Sequence, residues 1–151
     1  MKYFTLLSLI LIASWSCSKA TDAKMIKEAP EKSPIEGSWK LVYADIREND
    51  SLQIKDLQQT DFIKIINSSH FAFFNQDQNS SDNFMAGGGT YEFNGSDYIE
   101  TLNFINAKDY RGHVFKFKVE VKGDSLIQQG REKIESANVD RYILEKYIRI
   151  K

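Results

Sequence analysis

The stretch from Gly87 to Gly130 constrains the fold of this chain more than any other part. It reads Gly-Gly-Gly-Thr-Tyr-Glu-Phe, a turn at Asn94-Gly95-Ser96-Asp97, then Tyr-Ile-Glu-Thr-Leu-Asn-Phe and a short linker. After that come His-Val-Phe-Lys-Phe-Lys-Val-Glu-Val, a turn at Lys122-Gly123-Asp124, and Ser-Leu-Ile-Gln-Gln-Gly. Aromatic and β-branched residues alternate with polar ones, and glycine-containing turns separate the runs. A period of two puts alternate side chains on opposite faces of a strand, and tight glycine turns join neighbouring strands antiparallel. Between Gly112 and Val121, Phe115, Phe117, Val119 and Val121 share one face while Lys116, Lys118 and Glu120 share the other. That two-sidedness fits an antiparallel sheet with one wet face.

The same pattern recurs along the chain. Order begins at Ile35, where Trp39, Leu41 and Tyr43 alternate with Lys40 and Val42. Further strands are expected at Phe62–Ile66, His70–Asn75, Thr90–Phe93, Asp97–Phe104, Gly112–Val121 and Ser125–Gln129, with a closing strand from Tyr142 to Ile150. The expectation is an all-β, antiparallel fold of about eight strands in one domain over residues 35–151. Arg47–Thr60 reads as a long loop or a loop with one helical turn. Gln76–Ala86 reads as polar and flexible, and Arg131–Asp140 as charged and irregular. Gly87-Gly88-Gly89 precedes a strand, so it permits a close backbone approach or a bulge and is no phosphate loop.

The N-terminus reads differently. Lys2 supplies a positive charge, Tyr3 to Ala13 an apolar run, and Ser14-Trp15-Ser16 lead to Cys17, the single cysteine of the chain. The run is shorter than the ~20 residues of a spanning helix. Residues 1–16 therefore read as a signal segment, and they resemble a bacterial lipoprotein signal in which Cys17 is lipidated. The alternative is ordinary secretion with a free thiol, because one cysteine excludes an internal disulfide. Residues 17–34, with Pro30 and Pro34 and no apolar periodicity, read as a flexible tether. The expected location is the bacterial cell envelope, on a membrane through the lipid anchor, or secreted or periplasmic without it.

Gly37-Ser38-Trp39, the meander of strands and Tyr147-Ile148-Arg149-Ile150 resemble lipocalin-type barrels. More closely, Gly89-Thr90-Tyr91, Gly95 to Glu100, Leu102-Asn103-Phe104, Gly112, Phe115-Lys116-Phe117, Gly123-Asp124 and Gly130 are similar to the lipocalin-like family of small bacterial exported proteins. The resemblance implies an up-and-down β-barrel closed without exposed edges. It also implies that Trp39 packs under Arg149 at the closed end, as a structural contact.

Chemistry finds little support. The net charge is −1 and the lysines are dispersed, which excludes a nucleic-acid surface. His70 and His113 have no acidic residue or cysteine at metal-ligand spacing, no Gly-x-Ser-x-Gly elbow occurs, and no motif asks for a cofactor. The expected protein is not an enzyme. An eight-stranded barrel is either filled by side chains or holds one small ligand, and the ten Phe and seven Tyr suit both outcomes. Phe62, Phe71, Phe73, Phe93, Phe115 and Phe117 are candidates to line or plug the interior. Candidate ligand contacts are Phe73, Tyr91, Phe93, Tyr98, Glu100, Phe115 and Phe117. If Tyr98, Glu100, Leu102 and Phe104 face inward, Glu100 is a buried carboxylate that needs a partner, either Arg111, a tyrosine hydroxyl or the polar head of a ligand. The leading expectation is a membrane-tethered, non-enzymatic binder of a small apolar or amphipathic ligand. The rival is an envelope accessory protein with a filled barrel, meeting a protein partner through Asp45–Thr60 and Gln76–Gly89. An isomerase or cyclase would require titratable groups converging in a cleft.

Overall fold

The computed structural model describes residues 32–151. The expected signal segment, Cys17 and most of the tether lie outside the described residues. The strands are β1 (Gly37–Glu48), β2 (Ser51–Ile54), β3 (Thr60–Ile66), β4 (His70–Asp77), β5 (Met85–Asn94), β6 (Asp97–Ile105), β7 (Val114–Lys122), β8 (Ser125–Ile134) and β9 (Val139–Ile150). Sequential strands from β3 to β9 pair antiparallel, and β1 pairs with both β3 and β9. The sheet thus closes into an eight-stranded up-and-down barrel, and β2 runs beside the far half of β1.

The expected strands are all present, and all but one are longer than their alternation suggested; the strand expected over Gly112–Val121 runs from Val114 to Lys122. Arg47–Thr60 is not a plain loop. β1 continues to Glu48, turns at Asn49-Asp50 and returns as β2. Both turn residues have positive φ (48° and 60°), the conformation of a two-residue hairpin turn, which Asn and Asp tolerate better than most residues. Arg131–Asp140 is likewise mostly ordered: β8 runs to Ile134, a 3-10 turn spans Glu135–Ala137, and β9 begins at Val139. At the central hairpin, Asn94 pairs with Asp97, so the turn is Gly95-Ser96 with φ of 66° at Gly95. Order also begins before Ile35, in a Ser33–Glu36 turn closed by Glu36 N–H donating to the Ser33 carbonyl at 3.0 Å.

Two bulges reset which residues face inward. On β1 the register against β9 shifts between Leu41 and Tyr43, so Trp39 and Leu41 point in, and then Ala44 and Ile46. Tyr43 is thereby turned to the outside, where Lys146 Nζ sits 5.0 Å from its ring. On β6 the register against β5 shifts opposite Gly88 to Thr90, and the inward series Tyr98, Glu100, Leu102 continues at Ile105. Phe104, expected inside, is 69% exposed on the outer face. The triple glycine serves this contact. A Cβ on Gly89 would lie 1.9 Å from the Thr101 carbonyl oxygen, and one on Gly88 2.6 Å from that of Phe71.

The barrel end that holds the start of β1 and the end of β9 is packed solid. Ile35, Trp39, Leu41, Ile66, Phe71, Tyr98, Val119 and Leu126 are all buried there. The Arg149 guanidinium lies 4.0 Å from the Trp39 ring centre. It donates to the carbonyls of Glu36 at 2.6 Å and Pro34 at 2.8 Å, while Trp39 Nε1 donates to the Ile35 carbonyl at 2.8 Å. Arg149 therefore straps the incoming chain over the tryptophan. Gly37 leaves room for the strap: its φ is 149°, and a Cβ would meet Arg149 Nη1 at 2.4 Å.

Arg149→Ala removes a cation–π contact of about 0.5–2 kcal/mol together with two hydrogen bonds. Gly37→Ala is expected to disrupt the same strap from the other side. Thermal melting of both variants should show a clear loss of stability, and the double variant should lose less than the sum of the two. Unchanged melting of Arg149→Ala would remove the strap from the account.

Candidate functional site

The other end of the barrel is hollow. A cavity of about 440 Å³ opens where β1, β4, β6 and β8 end and β3, β5, β7 and β9 begin. Its walls are mainly apolar and aromatic: Ile46, Phe62, Phe73, Leu102, Phe115, Phe117 and Ile143. Phe62 and Phe73, on adjacent strands, stack with ring centres 5.6 Å apart and planes at 7°. The space exists because three inward positions in this belt are small. Ala44 is one, set inward by the β1 bulge. The others are Gly87 and Gly130, where an added Cβ would press on Phe73 Cζ at 2.6 Å and on Phe117 Cδ1 at 2.8 Å. At these two positions the absent methyl lets a neighbouring aromatic ring lie flat against the wall.

Between the cavity and the packed end lies a layer of polar side chains. The Lys64 ammonium on β3 pairs with Glu100 Oε1 on β6 and donates to Gln128 Oε1 on β8 at 2.7 Å. Gln128 Nε2 donates to Glu145 Oε2 on β9 at 3.3 Å, and the Tyr147 hydroxyl donates to the same oxygen at 2.6 Å. Lys64 and Glu100 are only 3% and 7% exposed, and the ammonium also lies 5.0 Å from the Tyr98 ring and 5.3 Å from that of Phe71. This network spans the barrel from β3 to β9 and forms the floor of the cavity.

The floor is electrically unusual because it holds two carboxylates and one ammonium. Burial raises the pKa of Glu145 above the ordinary glutamate value, with Lys64 and the Tyr147 hydrogen bond opposing the rise only in part. Burial, reinforced by the Glu145 charge, also raises the Tyr147 pKa well above its usual value. Beneath the floor the Tyr98 hydroxyl is buried without a partner in hydrogen-bonding geometry. Burial and the nearby Glu100 charge push its ionisation far up. At the mouth Arg141 Nε donates to Glu132 Oε2 at 2.6 Å. Lys55 Nζ donates to Asn75 Oδ1 at 3.0 Å and lies 4.9 Å from the Phe62 ring, and burial lowers its pKa.

Of the residues expected at the ligand, Phe73, Glu100, Phe115 and Phe117 line the cavity. The other three do not. Tyr98 lies under the floor, its ring 5.3 Å from that of Tyr91. Tyr91 donates its hydroxyl to the Asn67 carbonyl at 2.6 Å, and Phe93 sits over a separate hollow with Pro34 and Val119 at the packed end. Phe71 packs beneath the floor as well. The partner of Glu100 is Lys64. Arg111 follows the 3-10 turn at Lys108–Tyr110, with its guanidinium 3.5 Å from the Ile105 carbonyl oxygen. His70 and His113 sit at opposite ends of the barrel, and no group of three metal-ligating side chains occurs among the described residues. Among those residues no helix is long and apolar enough to cross a membrane.

Lys64, Gln128, Glu145, Tyr147, Ala44, Glu132, Arg141 and Lys55 escaped the sequence reading. Once the facing of each strand is known, three of them stand out as polar residues at inward positions: Lys64 between Phe62 and Ile66, Gln128 two residues after Leu126, and Glu145 between Ile143 and Tyr147. Fold and site together define a closed β-barrel with one end plugged and a ligand-sized chamber at the other. Compared with known proteins, the chain matches no protein-family model and no curated protein.

Three variants test the floor. Lys64→Met strands Glu100 in the interior and should cost about 3–5 kcal/mol in urea unfolding, with much of it recovered in Lys64→Met/Glu100→Leu. A loss below ~0.5 kcal/mol would show that the pair is not part of the folded interior. Glu145 has a raised folded pKa, so its stabilising contribution is present below the ordinary value of 4.5 and is lost as pH rises through the folded value. Glu145→Gln should therefore gain stability relative to the parent between pH 4.5 and neutrality. A gap that stays constant with pH would place Glu145 in water.

Proposed function

We propose that this protein is a membrane-tethered, lipocalin-like carrier that takes one small amphipathic molecule into its barrel. The observation that carries the reading is the cavity of about 440 Å³, open at one end, aromatic along its walls and polar at its floor. Pockets for small molecules are mostly apolar with a few placed polar groups, and eight strands enclose room for one such ligand. The apolar body would lie against Phe62, Phe73, Phe115, Phe117 and Ile143, and the polar end would reach Glu145 and its neighbours. Exposed Ile54 and Met85 at the rim offer an apolar entry. The lipocalin-like reading draws on Gly37, Trp39 and Arg149 in one contact at the plugged end. The tether and lipid on Cys17 follow from the character of the N-terminal sequence.

One observation favours a second reading. Glu145, with its raised pKa and its bond from Tyr147, is a carboxyl placed in a largely apolar chamber, as proton-transfer enzymes require. One extraction experiment separates the two. Native protein purified from the envelope is extracted with organic solvent and analysed by mass spectrometry, beside Ala44→Phe and Phe117→Trp, which fill the chamber. One equivalent of a small molecule in the parent, lost in Ala44→Phe while the variant still folds, is the expected result. Added back, that molecule should be recovered chemically unchanged, whereas its conversion would establish the isomerase reading. Absence of any bound molecule in the parent, together with no uptake of added amphiphiles, would overturn the carrier.

A further inference from the structure

The geometry points to a ligand with a positively charged head: a small aromatic or aliphatic amine, bound as its ammonium form with Glu145 as counter-ion. This rests on the reading of the chamber as a ligand site and names the chemistry that the site selects.

Lys64 is the floor's only cation, and its ammonium is held by Glu100 and by Gln128 Oε1 at 2.7 Å. The faces of Tyr98 and Phe71, 5.0 and 5.3 Å away, cover the rest of it. The Tyr147 hydroxyl is directed to Glu145 at 2.6 Å, and Gln128 Nε2 also points to Glu145. Both of those donors reach Oε2, and among the described residues no donor reaches Glu145 Oε1, although Glu145 lines the cavity. The free valence at the floor is thus a carboxylate oxygen. A ligand carboxylate or phosphate would find acceptors there in place of donors. An ammonium would supply hydrogens where they are missing, and would bring the charge of the Glu100, Lys64 and Glu145 group to zero. Such charge-assisted hydrogen bonds are the strong ones in a water-poor site.

The mouth cations do not meet this need. Arg141 is neutralised by Glu132 at 2.6 Å; Lys55 donates to the neutral Asn75 amide at 3.0 Å, rests on the Phe62 ring and attracts Glu145 only through space, with no hydrogen bond to it. The walls suit the rest of such a ligand. Phe62, Phe73, Phe115 and Phe117 offer ring faces to an apolar or aromatic body. Burial raises the pKa of Glu145, with Lys64 offsetting the rise only in part, so a further cation beside it would favour its ionised form.

Three probes with one body test this at pH 7: 1-naphthylmethylamine (a cation), 1-naphthylmethanol (neutral) and 1-naphthoate (an anion), titrated by fluorescence into the full chain. The amine should bind about tenfold or more tightly than the other two. Glu145→Gln should bring the amine close to the alcohol, and a cooperative urea unfolding transition of the variant shows that it folds. Should Glu145→Gln not fold, the charge preference of the parent decides alone. Equal binding of the three probes would overturn the amine inference and leave the carrier standing. So would a preference for naphthoate that disappears in Lys55→Met. No binding of any probe would count against the carrier reading itself, and the amine inference would fall with it.

Discussion

A lysine inside a barrel is the constraint on which the rest of the structure depends. The Lys64 side chain projects from β3 toward the barrel axis, where an unpaired ammonium would be prohibitively costly. Glu100 on β6 neutralises it, Gln128 on β8 takes a second hydrogen, and Glu145 and Tyr147 on β9 complete the chain. Residues far apart in sequence are thereby tied across the interior at one level. Below that level the barrel is packed with aliphatic and aromatic side chains and sealed by Arg149 over Trp39. Above it the side chains stop short of the axis and a chamber remains. A buried polar layer of this kind is a poor source of stability compared with apolar packing, but it fixes which strands face one another.

The chamber owes its existence to backbone details as much as to side chains. Without the bulge after Leu41, the parity of β1 would carry Tyr43 inward where Ala44 now stands. Without the extra residue on β6, Phe104 would follow Leu102 into the interior. Each shift removes a large aromatic ring from the lumen. With Gly87 and Gly130 letting Phe73 and Phe117 lie against the wall, they turn a barrel rich in phenylalanine from a filled core into a container. Its polarity is uneven. Acceptors prevail at the floor, the Arg141–Glu132 pair and the Lys55 ammonium stand at the mouth, and the aromatic belt lies between them.

How much of this was legible depends on whether a feature is local. The hairpins around Gly95 and Gly123 and the two faces of β7 follow from short-range alternation and turn chemistry, and they were readable. So was the Gly37–Trp39–Arg149 contact, through a resemblance whose residues meet in space. The Asn49-Asp50 turn and β2 were missed because charge and scattered leucines resemble a loop when the strand pairs on one side only. Glu100 was readable as a buried carboxylate, but its partner lies on β3. Nothing local marks Lys64 as more than a surface lysine among isoleucines. The two faces of β9 are similarly apolar, so the inward turn of Glu145 and Tyr147 had no local signature.

The amino-acid sequence by itself determined that this chain forms antiparallel strands and where most of them lie, because alternation and turn geometry act over a few residues. The tertiary structure alone decided that the barrel is hollow rather than filled, and that a lysine, two glutamates, a glutamine and a tyrosine form its floor. Barrel closure brings strands β3, β6, β8 and β9 to a common level, and two bulges change side-chain parity partway along β1 and β6. Both effects depend on register between strands, a relation between distant segments that no single stretch of sequence contains.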